Sequence, residues 1–145
     1  MNVKIISIIA FILGVSALAA LVIRHGVFSP SPIVILLQAL AILLMLWARI
    51  TFGRRSFHFA ANPTSGELIT SGPYHYIRHP VYAAIMIFTV AGVAANLSIS
   101  NSILGLVVIS GMIIRALCEE QLLHSQYPEY AEYSKHTWRI IPFLF

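Results

Sequence analysis

Long uncharged stretches dominate the hydrophobic pattern of the chain. Residues 5–23 form nineteen positions without a charge, which as an α-helix span about 28 Å, close to the thickness of the hydrocarbon core of a bilayer. A second uncharged stretch covers residues 33–48 and ends at Trp47 and Arg49, an aromatic and a cation of the kind that anchor helices at a membrane interface. We therefore predict two transmembrane helices within residues 1–50.

A secretory signal peptide is the alternative interpretation of the first stretch. Lys4 supplies a basic start, and residues 16–20 (Ser-Ala-Leu-Ala-Ala) are small enough for a cleavage site. The apolar stretch is long for a signal peptide, and further apolar stretches follow without an intervening soluble domain. A membrane helix is therefore favoured.

The second half of the chain contains a polar stretch, a long apolar stretch and an amphipathic end. Residues 51–79 predict an ordered loop with short helices at most, whereas residues 80–114 carry no charge over 35 positions. Because a polar segment interrupts them at residues 96–101, they predict a helical hairpin whose arms are each near the lower limit of about 17 residues for a crossing. After Arg115 the alternation of charged and apolar positions predicts interfacial helices, broken at Pro128.

These patterns predict an all-α integral membrane bundle of about four transmembrane helices with cytoplasmic interfacial helices. We expect one membrane domain over residues 1–145, with two N-terminal helices in 1–50 and a catalytic region in 51–145. The composition agrees, since 59% of the residues are apolar and 10% are charged, against about 25% charged in soluble domains. A lone cysteine, Cys118, excludes an internal disulfide scaffold.

The distribution of positive charge predicts the orientation of the bundle. The net charge is +4, which on a membrane protein reports orientation rather than affinity for nucleic acid. In a four-helix topology only Arg24 falls on one side, and the remaining lysines and arginines fall on the other: Lys4, Arg49, Arg54, Arg55, Arg78, Arg115, Lys135 and Arg139. Both termini are predicted to be cytoplasmic, in a prokaryotic inner membrane or, in a eukaryote, the endoplasmic reticulum. The expected partners are membrane lipids, with neither nucleic acid nor an obligate protein partner.

Two polar segments, residues 66–82 and 115–139, converge on that side and carry the candidate chemistry. Arg115 and Glu119 are four residues apart, so a helix places them on one face as a single site. Glu120 points about 100° away and could pair with a loop arginine. The alternative for Arg115 is an interfacial ion pair whose guanidinium extends to the headgroups.

Residues 74–82 combine tyrosines, histidines and a His-Pro step at the start of a membrane helix. Three interpretations compete. A metal site at His75 and His79 lacks a third ligand in the pattern, so no metal is predicted. An interfacial aromatic belt explains the tyrosines but not the His-Pro step. A binding site for a polar, partly cationic ligand explains both, because tyrosine faces hold cations and Pro80 frees backbone groups.

Several motifs together resemble one enzyme family. Residues 66–74 (Gly-Glu-Leu-Ile-Thr-Ser-Gly-Pro-Tyr), Arg78-His79-Pro80-Val81-Tyr82, Arg115 with Glu119-Glu120, and Ile141-Pro142-Phe143 occur in order. The combination resembles the isoprenylcysteine carboxyl methyltransferase family and its phospholipid methyltransferase relatives, integral-membrane enzymes that use S-adenosylmethionine. One departure concerns the substrate, since the isoprenylcysteine enzymes commonly carry a histidine where Gly66 stands.

The resemblance implies a cofactor pocket and a reaction. The implied cofactor-binding residues are Gly66, Glu67, Leu68, Ile69, Tyr74, His79, Pro80, Val81, Tyr82 and Glu119, with Arg115 facing the substrate and Arg115 and Glu119 as the catalytic pair. The implied reaction is methyl transfer from S-adenosyl-L-methionine to a lipidic carboxylate of the isoprenylcysteine type, taken from the bilayer. Methylation of a phospholipid amine and a non-catalytic lipid-binding protein remain the alternatives.

Overall fold

A computed structural model describes residues 2–53 and 68–142 of the chain. The helices are α1 (Val3–Ile23), α2 (Pro32–Phe52), α3 (Pro80–Ala95), α4 (Ile99–Gln126) and the short α5 (Tyr130–Lys135). A 3-10 helix, Gly72–His75, precedes α3. The described ranges contain no β-strand beyond one isolated bridge between Ile77 and Trp138, which confirms the all-α prediction.

Three of the helices are long and apolar enough to cross a membrane. These are α1 and α2, with 21 residues each, and α4, with 28 residues. The fourth apolar helix, α3, has 16 residues and spans about 24 Å, less than a typical hydrocarbon core. The bundle therefore has three full-length helices and one shorter helix. The short α3 agrees with the prediction that the arms of the hairpin are near the lower length limit for a crossing.

The hairpin of α3 and α4 lies between the two N-terminal helices. α1 packs along α4, α2 packs along α3, and the hairpin arms pack on each other. Ala17 and Leu21 of α1 cluster with Val108 of α4, while Phe11, earlier in α1, contacts Arg115, later in α4. Because α1 and α4 therefore run antiparallel, the start of α1 and the end of α4 share one end of the bundle.

The opposite end is closed by hydrogen bonds between the two connectors. Asn96, after α3, donates from Nδ2 to the carbonyl oxygen of Phe28 at 2.9 Å. Gln38, buried in α2, donates from Nε2 to the carbonyl oxygen of Val27 at 2.8 Å. A Cβ added to Gly92 would lie 2.5 Å from the Val27 backbone, so glycine permits this close approach. These contacts fix the ends of the helices and leave the polar segments at the other end.

The structure corrects the prediction of interfacial helices after Arg115 for residues 116–126, which belong to α4. α4 continues without a break to Gln126, and its 28 residues span about 42 Å, longer than a hydrocarbon core. The amphipathic pattern instead marks the end of a membrane helix whose polar face is covered by protein, since Glu120 is buried. The predicted break at Pro128 is confirmed, because α5 begins at Tyr130.

Glycine at the crossing of α1 and α4 allows a close helix contact that we expect to be sensitive to substitution. A Cβ at Gly111 would lie 2.8 Å from the carbonyl oxygen of Ala10 and 3.3 Å from Cα of Gly14. Small residues at such crossings let membrane helices approach closely. Gly111→Ala should therefore destabilise the bundle by about 2 kcal/mol and lower the melting temperature in detergent. Ser110→Ala, at an exposed neighbouring position, is the control, and an equal effect of both would contradict the proposed contact.

Candidate functional site

Two adjacent carboxylates on α4 occupy different environments at the polar end of the bundle. Glu120 is buried and accepts hydrogen bonds from two arginines. Nε of Arg78 donates to its Oε1 at 2.8 Å, and Nε of Arg139 donates to its Oε2 at 2.8 Å. Charge-assisted bonds of this kind compensate the desolvation of a buried carboxylate. The predicted pairing of Glu120 with a loop arginine is confirmed, and a second arginine joins it.

Glu119 remains more accessible than its neighbour. Its side chain is 24% exposed, against 9% for Glu120. The hydroxyl of Tyr82 donates to Glu119 Oε1 at 2.5 Å, and Nε of Arg115 lies 3.4 Å from the same oxygen. The shared helix face of Arg115 and Glu119 is thus confirmed as a contact.

Tyr82 connects Arg115 to Glu119. Nε of Arg115 donates to the Tyr82 hydroxyl at 2.7 Å, and that hydroxyl in turn donates to Glu119. Arg115 is 4% exposed, and its guanidinium carbon lies 4.5 Å from the ring centroid of Phe11 on α1. The guanidinium is covered by protein, which contradicts the alternative in which it extends to the headgroups.

His79 lies between both carboxylates at the start of α3. Its Nδ1 is 3.6 Å from Glu119 Oε2, and its Nε2 is 3.4 Å from Glu120 Oε1. The imidazole stacks on the Tyr82 ring, with centroids 5.5 Å apart and planes 14° apart. Burial lowers the pKa of His79, but the two carboxylates outweigh burial and hold that pKa above its ordinary value.

The remaining predicted cofactor residues lie in the segment before α3, at the start of α3, or outside the described ranges. Tyr74 is buried against Phe52, with ring centroids 5.5 Å apart, and burial followed by the nearby Glu119 charge raises the pKa of its hydroxyl. Pro80 is buried and begins α3. Leu68, Ile69 and Val81 are half-buried. Gly66 and Glu67 lie outside the described residues, as do Arg54, Arg55 and Phe143.

Three residues of the cluster were not identified as site residues from the sequence. Arg78 and Arg139 entered the sequence argument as orientation charges, although Arg78 begins the Arg-His-Pro motif. Phe11 gave no signal, because it is one apolar residue in a uniformly apolar stretch. Within residues 2–53 and 68–142, no three His, Cys, Asp or Glu side chains group as a metal site, and His75 is exposed.

Most of the cluster lies within the part of the chain that matches a known enzyme family. Residues 30–130 match the phospholipid methyltransferase family, a range that holds His79, Tyr82, Arg115, Glu119 and Glu120. The chain belongs to this family. Together with the three apolar helices, membership makes it a membrane protein. It also makes methyl transfer to a lipid-like molecule the activity to be tested.

One curated relative shares part of the chain. The cobalt-zinc-cadmium resistance protein CzcN of Cupriavidus metallidurans is 31% identical over 83 residues, which cover 55% of this chain and 38% of the relative. The matched segment is thus less than half of that protein. No solved structure matches the chain.

The position of His79 between two carboxylates predicts a pH dependence of stability. Since the folded-state pKa is raised above an unfolded value of about 6.5, protonated His79 contributes stability that is full below about pH 6.5 and is lost as the pH rises through the folded pKa. The melting temperature in detergent should therefore fall as the pH is raised above about 6.5. His79→Asn should flatten this slope, whereas His136→Asn, at an exposed position, should keep it. A slope unchanged by His79→Asn would contradict the assignment.

Proposed function

We propose that the protein transfers a methyl group from S-adenosyl-L-methionine to a lipidic acceptor taken from the bilayer. The observation that carries the proposal is the difference between the two glutamates. Glu120 is buried and held by two arginines, whereas Glu119 is partly exposed beside aromatic rings. A carboxylate with open access next to aromatic faces suits a cationic ligand.

The residues of the cluster fit the chemistry of this cofactor. When bound, S-adenosylmethionine supplies a methyl group activated by a positively charged sulfur. Glu119 offers negative charge, and the Tyr82 ring, which stacks on His79, offers the aromatic surface that accommodates such a cation. Buried Tyr74 and half-buried Leu68 and Ile69 supply apolar surface in the segment that leads to the ring pair. Glu119, His79, Tyr82 and Tyr74 would therefore hold the cofactor, together with that segment.

The favoured acceptor is a carboxylate of the isoprenylcysteine type. Such a group is ionised at neutral pH, so its methylation requires no base. Arg115 is a buried cation of the same cluster, and its Nε donates to the Tyr82 hydroxyl, which fixes the direction of the guanidinium. A guanidinium binds and orients a carboxylate through parallel hydrogen bonds, and correct orientation is the main requirement of an in-line methyl transfer.

Methylation of a phospholipid amine is the second candidate, and the accessibility of the Glu119 carboxylate favours it. An amine must lose a proton during methylation, and the partly exposed Glu119 carboxylate, hydrogen-bonded by Tyr82, is placed to accept one. The description of the matched family as phospholipid methyltransferases also supports this acceptor. The two candidates differ in the chemical bond that they form, an ester or an alkylated amine.

The same end of the bundle is proposed to face the cytoplasm. The excess of cations on that side supports this orientation, and it would admit the cofactor from the cytosol while the lipid acceptor enters from the membrane. An inner membrane of a prokaryote fits the proposal, with membrane lipids as the surrounding partners. The cofactor and the acceptor would then meet at Glu119 and Arg115.

Binding of the cofactor, whose sulfur is positively charged, should depend on Glu119. Glu119→Gln removes the negative charge while keeping a similar shape, so the affinity for S-adenosyl-L-methionine should fall about ten-fold or more, as expected for a lost charge-assisted contact. Isothermal titration of the folded, detergent-solubilised protein measures this affinity. Glu132→Gln, at an exposed glutamate of α5, should bind as the wild type does. Absence of binding by folded wild type would contradict the methyltransferase proposal and favour a lipid-binding protein.

The product of the reaction should identify the acceptor class. Incubation of the protein with methyl-labelled cofactor and a membrane extract should give label in the lipid fraction that mild base releases as methanol, because carboxyl methyl esters are base-labile. Arg115→Gln should reduce this label. Label that base treatment leaves on a non-volatile amine headgroup would contradict the carboxylate and establish amine methylation.

A further inference from the structure

The last described residues fold back onto the site. We call residues 134–140 the C-terminal strap. The strap begins with the last two residues of α5 and lies beyond residue 130, where the family match ends. It nevertheless contacts the segment that carries His79. Membership of the family does not explain this contact.

Backbone hydrogen bonds join the strap to the entry of α3. The N–H of Arg78 donates to the carbonyl oxygen of Trp138 at 2.8 Å, and the N–H of His79 donates to that of Arg139 at 3.0 Å. In return, the N–H of Trp138 donates to the carbonyl oxygen of Tyr76 at 3.0 Å. The backbone that presents the His79 ring is thus held by the strap rather than by a regular helix.

Side-chain hydrogen bonds and apolar packing hold the strap at both of its ends. The guanidinium of Arg78 donates to the carbonyl oxygen of Ser134 at 2.7 Å and to that of Thr137. Arg139 binds Glu120 of α4 through Nε and through a terminal nitrogen, each at 2.8 Å. Ile140 is 1% exposed and packs with Ala83 of α3 and Ala116 of α4. The strap therefore contacts both helices that carry the site.

Resting on the proposed function, we propose that the C-terminal strap positions His79 and Glu119 for cofactor binding, and that Arg139 is the positioning residue that ties it to Glu120. Arg139 acts through Glu120 and the strap backbone, and touches neither the cofactor nor the acceptor. Glu120 gives one oxygen to Arg78 and the other to Arg139, so it holds the His79 segment, the strap and α4 together. In this arrangement His79 lies against the Glu119 carboxylate.

Loss of the Arg139 contact should affect the site more than the bundle. The contacts between α1 and α4, and between the two connectors, lie elsewhere in the molecule. Without the Arg139 side chain the strap loses its ion pair with Glu120 of α4. The strap carbonyl groups that accept hydrogen bonds from the backbone of Arg78 and His79 then become mobile. A site whose supporting contacts are loosened binds its ligand less tightly, because binding must then order it.

The test compares three variants by titration with S-adenosylhomocysteine in detergent. Arg139→Gln should weaken the affinity about ten-fold, which corresponds to about 1.4 kcal/mol, while the melting temperature falls by no more than a few degrees. Arg139→Lys, which keeps a cation for Glu120, should restore part of the affinity. Lys135→Gln, which removes the exposed cation paired with Glu132, should bind as the wild type does.

The outcomes separate this inference from the proposed function. Wild-type affinity in folded Arg139→Gln would overturn the positioning role while leaving the proposed function intact. No rescue by Arg139→Lys, or an equal loss in Lys135→Gln, would also overturn it. A folded wild type that does not bind S-adenosylhomocysteine would overturn both the proposed function and this inference.

A second measurement needs no variant and applies if Arg139→Gln does not fold. Amide hydrogen exchange is followed in the wild type with and without S-adenosylhomocysteine. Saturation should slow exchange in residues 76–79 and 137–140 together, because the strap and the His79 segment are ordered as one unit. Protection confined to residues 76–79, or absent from both segments while the ligand binds, would overturn the inference.

Discussion

A buried carboxylate shared by two arginines organises the polar end of this membrane protein. Glu120 lies on α4, Arg78 precedes α3 and Arg139 lies in the C-terminal strap, so one side chain joins three separate segments of the chain. A single carboxylate at this depth would be costly, and two cations with good geometry make its burial tolerable. Removing one arginine leaves Glu120 paired with the other and beside His79, but it releases one of the three segments, so the arrangement depends on all three residues being present.

The neighbouring Glu119 makes different contacts, because Arg78 of the loop and Arg139 of the strap both bind Glu120. Its contacts are to Tyr82 and Arg115 within the helix hairpin, and it keeps an exposed surface. His79 touches both carboxylates and so couples the structural half of the cluster to the half proposed to bind the cofactor. Adjacent residues on one helix thus make different contacts, and the proposal assigns stability to Glu120 and ligand binding to Glu119.

Much of the fold followed from the sequence, because uncharged stretches of membrane length restrict the choice of structure. The four apolar helices, the hairpin and the break at Pro128 were all predicted. The continuation of α4 past Arg115 was not, since an amphipathic pattern does not distinguish a separate surface helix from a membrane helix covered by a loop. That covering comes from the C-terminal strap, whose position depends on tertiary contacts.

The candidate site was predictable where local spacing determines contact. Arg115 and Glu119 lie one helical turn apart, so their contact follows from helix geometry. Phe11 and Arg139 reach the cluster through packing between segments distant in sequence, and neither has a local pattern that marks it. The roles of Gly66 and Glu67 in cofactor binding stay predictions, as do the domain limits.

The central claim, that the cluster around Glu119 holds S-adenosylmethionine, is tested most directly by photo-crosslinking. Methyl-labelled cofactor is irradiated with the detergent-solubilised protein, with and without excess S-adenosylhomocysteine, and the labelled peptides are mapped by mass spectrometry. The account predicts label in residues 74–82 or 115–120 that the competitor abolishes. Label at the opposite end of the bundle, near residues 24–31 or 96–101, or label that the competitor leaves unchanged, would contradict it.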